Sequence, residues 1–219
     1  MSNIISFSLW GDNPKYTVGA IRNAELALEI YPDWICHYFI ASDVPKGVIE
    51  NLHKLPNTIL HLKNNDEPCN WLSAFWRFEA SYMSGVDISI FRDTDSRLNH
   101  RERAAVDQWL ESDRSFHIMR DHPYHSFYLL AGMWGCKNHQ IQDYDIKALL
   151  DSFNKQDMYG SEYIFFADVL YPIIKNDSLI HDPFFDNKPF PTERIDRGFV
   201  GEVFDEHDIR HPEHWRYIP

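Results

Sequence analysis

The chain has 219 residues, a formal net charge of −12, and 44% hydrophobic and 15% aromatic side chains. That length suits one domain over residues 1–219 with a substantial core, and the acidic balance excludes the basic stripe a nucleic-acid partner needs. Three scattered cysteines, Cys36, Cys69 and Cys136, make neither a disulfide framework nor a Cys-x-x-Cys metal site. The start, Met1-Ser-Asn-Ile, lacks the basic-then-apolar pattern of a signal peptide. The longest mostly apolar run, Tyr163 to Ile174, is too short to span a membrane and carries Asp168. A reducing, cytoplasmic setting is expected.

Ile4 to Trp10 predicts a first strand, ending in Gly11-Asp-Asn-Pro14. Asn13 as N-cap and Pro14 at the first helical position open a helix, with Val18, Ile21, Ala24 and Leu28 as its apolar stripe and Pro32 as its stop. Trp34–Ala41 and Thr58–Leu62 predict strands on either side of a helix over Val48–Leu55. A polar loop over 63–70 leads into a helix over Trp71–Ser84, and Val86, Ile88 and Ile90 alternate as a buried strand. Glu102–Glu111 predicts a helix and Ser115–Arg120 a strand. Ala131-Gly-Met-Trp-Gly135 predicts a glycine-flanked aromatic turn. Ile146–Phe153 and Glu162–Ile174 predict helices, the second capped by Gly160-Ser161. Leu179–Asp182 predicts a short strand, and 183–219 an irregular segment folded over the domain. Strands alternating with helices imply parallel β-α-β units in an α/β fold.

The acidic pair Asp93 and Asp95 closes the Val86–Phe91 strand. With 21 Asp in the chain, chance alone gives about two Asp-x-Asp pairs, and two occur. Position separates them: Asp143 and Asp145 open a helix, where acids favour the N-terminus. Asp93 and Asp95 lie just beyond a strand's C-terminal end, where open α/β sheets bind ligands. Two hard oxygen donors there suit Mg²⁺ or Mn²⁺ shared with a phosphate. No phosphate-binding or dinucleotide glycine loop is present, and no Gly-x-Ser-x-Gly or His-Glu-x-x-His, which removes the commonest nucleotidase, dehydrogenase, hydrolase and zinc-protease readings.

Phe91-Arg-Asp-Thr-Asp-Ser-Arg-Leu98, preceded by Trp76-Arg-Phe78, resembles the core of metal-dependent glycosyltransferases with the GT-A fold. His117-Ile-Met-Arg-Asp-His-Pro-Tyr-His125, Ala131-Gly-Met-Trp-Gly-Cys136 and Tyr159-Gly-Ser-Glu-Tyr-Ile-Phe-Phe166 follow in the order seen in small bacterial and viral sugar transferases, a domain from a large algal virus among them. The likeness spans roughly residues 4 to 182. It departs at Glu162-Tyr163, which stands where Asp-Gln is usual.

The resemblance implies a mostly parallel sheet flanked by helices, a UDP- or GDP-sugar donor, a glycan or small hydroxyl acceptor, and Mn²⁺ or Mg²⁺ held by Asp95 and Asp93. It implies a nucleotide near Leu9, Trp10 and Gly11, and His181 as a third metal ligand, which would favour Mn²⁺. Arg77 and Arg97 are the cationic candidates for the diphosphate or sugar. Asp121 and Glu162 are the candidates for the base that takes the acceptor proton, with His122 and His125 crowding the same loop as Asp121. Met133 and Trp134 form either a platform for a sugar ring or plain core. A metal-dependent nucleotidyltransferase, or a non-catalytic sugar- or protein-binding module on this fold, are the alternatives.

Overall fold

The computed structural model describes residues 2–64, 66–67 and 69–218, so residues 65 and 68 of the expected polar loop lie outside the described residues. The first half runs β1 (Ser2–Leu9), α1 (Pro14–Ile30), β2 (Trp34–Ile40), α2 (Lys46–His53), β3 (Thr58–Leu62), a 3₁₀ helix (Trp71–Tyr82) and β4 (Val86–Phe91). The second runs α3 (His100–Glu111), β5 (Phe116–Met119), β6 (Trp134–Lys137), α4 (Ile146–Ser152), α5 (Ser161–Phe165), α6 (Tyr171–Ile174), β7 (Ser178–His181) and a last turn, α7 (Pro212–Trp215).

These strands form one sheet in the order β3-β2-β1-β4-β6-β5-β7. Every pairing is parallel except the two made by β6. The chain lays β2 and β3 on one side of β1, then crosses to lay β4 on the other. A crevice opens at such a reversal, above the C-terminal ends of the two strands that part there. Here those ends are Leu9 and Phe91. No helix among the described residues is long and apolar enough to cross a membrane.

Helix α1 begins as expected, with Asn13 Oδ1 accepting from the Lys15 amide at 3.0 Å. Its buried face differs from the expected stripe. Gly19, Ala20, Ala24 and Ala27 face inward, while Leu28 is 43% exposed. Small residues win because the helix presses close to the Asp93–Ser96 turn: a Cβ on Gly19 would lie 2.0 Å from the Thr94 carbonyl. One other expectation fails in part for a related reason. The glycine-flanked segment turns only over Ala131–Gly132, since Trp134-Gly-Cys-Lys137 is strand β6. Gly135 marks a close approach inside a sheet, where a Cβ would come within 2.9 Å of Ile90 Cγ2.

The Trp71–Tyr82 helix is wound 3₁₀ over 12 residues, far longer than such helices usually run. The carbonyls of Ala74, Arg77 and Ala80 explain it. Spaced three apart, they line one edge of a helix with three residues per turn. Each is taken by the sheet or its flank: Ala74 by Ser8 Oγ, Arg77 by Ser6 Oγ at 2.7 Å, and Ala80 by Ser89 Oγ and Asn138 Nδ2. The helical run from Ser161 to Ile174 also departs from a plain α-helix, widening to π geometry over Phe166–Leu170. Pro172 follows, and a proline ring clashes with the carbonyl four residues back, here Asp168.

The segment after residue 182 returns to the sheet. Phe190 and Val200 pack with Ala105, Met119 and Met133, and Val203 bridges to Ser96. Buried histidines tie the outer strands. His117 Nε2 meets His181 Nδ1 at 2.8 Å, and His61 Nε2 meets His37 Nδ1 at 3.0 Å. Burial drives His37 and His181 down to about 4, His125 to about 3, and His117 well below the usual imidazole range. Each is therefore neutral in the fold at a pH where the unfolded chain takes up a proton. Stability is intact above the ordinary imidazole value of about 6.5 and is lost as pH falls from there toward 4. Thermal melts should show Tm dropping between pH 6.5 and 5, before most carboxylates titrate; a flat Tm across that window would disprove it.

Candidate functional site

A cleft of about 1120 Å³ occupies the crevice above β1 and β4. A smaller hollow of about 470 Å³, lined by Asp87, Asn138 and Lys147, lies at the opposite end of β4. The larger one has the chemistry. Strand β1 ends at Leu9, Trp10 follows, and Gly11 turns the chain with φ of +72°, its amide donating to Asp43 Oδ1 at 2.9 Å. Strand β4 is followed by Arg92, which is fixed by Glu102 Oε1 at 2.8 Å and by the carbonyls of Phe91 and Trp134.

The Asp93-Thr-Asp-Ser96 turn that follows is held by its backbone. Asn23 Nδ2 donates to the carbonyls of Thr94 (3.3 Å) and Ser96 (2.8 Å), and Asn23 Oδ1 accepts from the Leu98 amide at 3.0 Å. The Phe204 amide donates to the Asp95 carbonyl at 2.9 Å. With the backbone so occupied, both carboxylates face the cleft. Asp93 is ion-paired to Arg77 Nη1, and Asp95 Oδ2 lies 2.7 Å from Lys15 Nζ. Arg77 is anchored through its amide to Ser8 Oγ and through its guanidinium to the Arg92 carbonyl, both at 3.0 Å. Burial works against its charge, yet Asp93 raises it above the usual arginine value.

The residues present fit a divalent cation. Burial first, and then the neighbouring Asp93 charge, push the Asp95 carboxyl up despite Lys15. Two carboxylates that repel each other across one cleft are relieved by a shared cation. Gly132 keeps the space open, since a Cβ there would lie 2.1 Å from Asp93 Oδ2. Among the described residues, no third His, Cys, Asp or Glu completes a metal-binding group, so the remaining positions would fall to a ligand phosphate and water.

Leu9, Trp10, Gly11, Arg77, Met133 and Glu162 join the acidic pair in lining the cleft. Five expected site residues do not. Arg97 is buried beneath the turn, donating to the carbonyls of Ser96 and Asp205 and to Asp208 Oδ1. Asp121 is fully buried and saturated: Arg101 grips both its oxygens, Arg194 meets Oδ1 at 2.6 Å and the Val200 amide meets Oδ2 at 2.9 Å. It anchors the C-terminal segment and has no free lone pair for an acceptor proton. His122 spends Nε2 on the His214 carbonyl at 2.7 Å and Nδ1 on the Tyr124 amide. Trp134 is core, stacked on Phe91 with centroids 4.2 Å apart. His181 spends Nδ1 on His117 and Nε2 on Gln108 Oε1 at 2.9 Å, away from the acidic pair. The reason it gave to favour Mn²⁺ goes with it.

Other residues enter the cleft unforeseen. Lys15 comes from the first turn of α1, a position visible from the Asn13-Pro14 helix start. Trp71 stands edge-on to both Trp10 and Tyr159, and Tyr163 stacks on Phe127. His211, Glu213 and His214 arrive from the C-terminal segment, which no local pattern places. Glu162 is 7% exposed and its Oε2 has no partner. Burial raises its pKa, partly opposed by Arg77.

No protein-family profile and no curated protein sequence matches the chain. Solved structures do. A glycosyltransferase involved in glycosylation of the major capsid of PBCV-1 superposes with a TM-score of 0.52 at 13% identity, over 84% of this chain and 82% of that one. The galactosyltransferase LgtC, solved with donor and acceptor sugar analogs, gives 0.54 at 14% over 82% and 73%. Glucosyl-3-phosphoglycerate synthase from Mycobacterium tuberculosis with UDP gives 0.50 at 14% over 89% and 72%, and it has also been solved with Mg²⁺ and UDP. The chain has the fold of these nucleotide-sugar transferases, the GT-A fold.

Glu162 carries a stability cost with a defined sign. A raised carboxyl pKa means the fold favours the neutral acid, so the cost is absent below the unfolded carboxyl value and grows as pH rises through Glu162's own. Glu162→Gln should therefore raise Tm at pH 7. The gain should vanish near pH 3.5. Melts showing Gln destabilising at pH 7 would assign Glu162 a structural ion pair instead.

Proposed function

We propose that the chain is a glycosyltransferase that moves a sugar, of the hexose class, from a nucleoside diphosphate to a hydroxyl acceptor with the help of Mn²⁺ or Mg²⁺. Residues 1–219 act as one catalytic unit, the segment after residue 182 closing one side of the cleft. The observation that carries this is the acidic pair: two cleft-facing carboxylates on a rigid turn at the sheet's reversal point, each beside a cation from another element.

The donor's nucleoside lies along Leu9–Gly11 and its diphosphate over the acidic turn. Arg77 and Lys15, already beside Asp93 and Asp95, turn toward the phosphates and hold them in place. Asp93 and Asp95 would hold a divalent ion, which would supply Lewis-acid stabilisation of the negative charge that develops on the diphosphate. The acceptor oxygen forms a bond to the anomeric carbon as the bond from that carbon to the phosphate oxygen breaks, and the nucleoside diphosphate leaves with the electron pair. Glu162 takes the acceptor proton: it is buried, one oxygen is free, and its raised pKa brings it closer to working pH, as a general base requires.

Calorimetry with UDP and GDP tests this reading. Binding should be at least tenfold tighter in Mn²⁺ than in EDTA, and Asp95→Asn should erase that difference and lower turnover by about 10²–10³-fold, as loss of a group stabilising transition-state charge does. Equal nucleotide affinity in EDTA and Mn²⁺ would rule out the shared cation.

A further inference from the structure

Helix α1 presents one row of side chains to the acidic turn. Lys15, Gly19 and Asn23 are spaced four apart, so they stand one above another on the same helix face. Asn23 grips the turn's backbone, its side-chain amide 2.8 Å from the Ser96 carbonyl. Gly19 lets the helix press on the Thr94 carbonyl. Lys15 is the member of the row that lines the cleft. Its ammonium lies 2.7 Å from Asp95 Oδ2 and 5.2 Å from the centre of the Tyr16 ring.

The two cations at the turn are held differently. The Arg77 side chain is 6% exposed, and its guanidinium also donates to the Arg92 carbonyl at 3.0 Å. The Lys15 side chain is 29% exposed, and a lysine is a compact charge on a flexible stem. Burial works against that charge, yet Asp95 more than offsets it and raises the ammonium above its usual value. The phenols of Tyr16 and Tyr159 also lie within electrostatic reach of Lys15, and neither is a carboxylate.

For a free divalent ion to reach Asp95, Lys15 must give up its carboxylate and stand, partly buried, beside a doubly charged neighbour. Separating a buried pair in that way is costly. A diphosphate removes the cost, because its oxygens accept charge-assisted hydrogen bonds from the ammonium as Asp95 is released.

Resting on the transferase reading above, we infer that Lys15 is a tethered stand-in for the divalent ion. It holds Asp95 in the free chain, passes to a phosphate oxygen when the donor arrives, and so admits the ion only together with a nucleoside diphosphate. The ligand the acidic turn selects is then the metal–diphosphate complex, and free metal is turned away by a residue of the chain itself.

The test is calorimetry on the full chain, with Mn²⁺ alone and with UDP and GDP in saturating Mn²⁺. Lys15→Met should tighten binding of Mn²⁺ alone about tenfold and weaken nucleotide binding in Mn²⁺ about tenfold, the effect of one hydrogen bond to a charged group. Lys15→Gln, a second neutral variant, should shift both affinities the same way and replaces the first if that one fails to fold. Lys15→Arg keeps the charge and should leave the affinity for Mn²⁺ alone within about threefold of the unsubstituted chain. Neutral variants that bind Mn²⁺ alone no more tightly, or that keep full nucleotide affinity, would overturn the stand-in role. The transferase reading would still stand if the unsubstituted chain bound nucleotide more tightly in Mn²⁺ than in EDTA. No binding of UDP or GDP by the unsubstituted chain in Mn²⁺ would sink that reading, and the role of Lys15 with it.

Discussion

Asn23 is a buried amide on α1 that grips three backbone groups of the turn carrying the acidic pair. The rest of the site depends on that grip. A short polar turn after a strand has no ladder to hold it, so without an outside partner its carbonyls would be left to water. Gly19, one helical turn earlier, lets the helix come close enough for the amide to reach. The orientation of Asp93 and Asp95 is thus set by hydrogen bonds that neither carboxylate makes. In the cleft the side chains pair only with Arg77 and Lys15, cations that a ligand can share.

Charge in this acidic chain is distributed by function. Asp121 and Asp182 are fully buried and spent on arginines, and Glu102 is buried against Arg92. The Asp121 and Asp182 pairs secure the returning C-terminal segment to the sheet, and the Glu102 pair ties α3 to the end of β4. Breaking such a pair strands a charge in a low-dielectric interior, which is far costlier than the pair's own net contribution. At the cleft the pairs are looser: the Asp93 side chain is 46% exposed. There the cations can exchange one anionic partner for another as a diphosphate arrives. The same residue types make a scaffold in one layer and an ion-handling surface in the next, and burial is what separates them.

The strands other than β6, the α1 cap and the acidic turn were legible because each depends on local rules: alternation, an Asn-Pro start, an apolar run ending in acids. The cleft roles of Leu9, Trp10, Gly11 and Arg77 came from resemblance to a family, and the structure brings all four to the cleft. What failed shares one cause. Asp121, His122, Arg97 and His181 have the right functional groups, but partners far along the chain consume them: Val200, His214, Asp208 and His117. A sequence displays a side chain's chemistry without displaying what has already claimed it. Helix α1 misled differently, since its large apolar residues suggested one face while close approach to the turn selected the small ones.

The 3₁₀ helix before β4 behaves as a ruler. Its carbonyls at Ala74, Arg77 and Ala80 are read off by side chains of β1, β4 and Asn138, so its marks are three residues apart and belong to the sheet as much as to the helix. With three residues per turn, inserting or deleting one residue rotates everything beyond it by about 120°. The row of carbonyls would then face away from the serines, and Arg77 would leave Asp93. Substitutions on the outer face move nothing. Among divergent relatives of this chain, the stretch from Trp71 to Tyr82 should therefore keep its length and its buried residues, and vary freely only at exposed positions such as Trp71 and Tyr82.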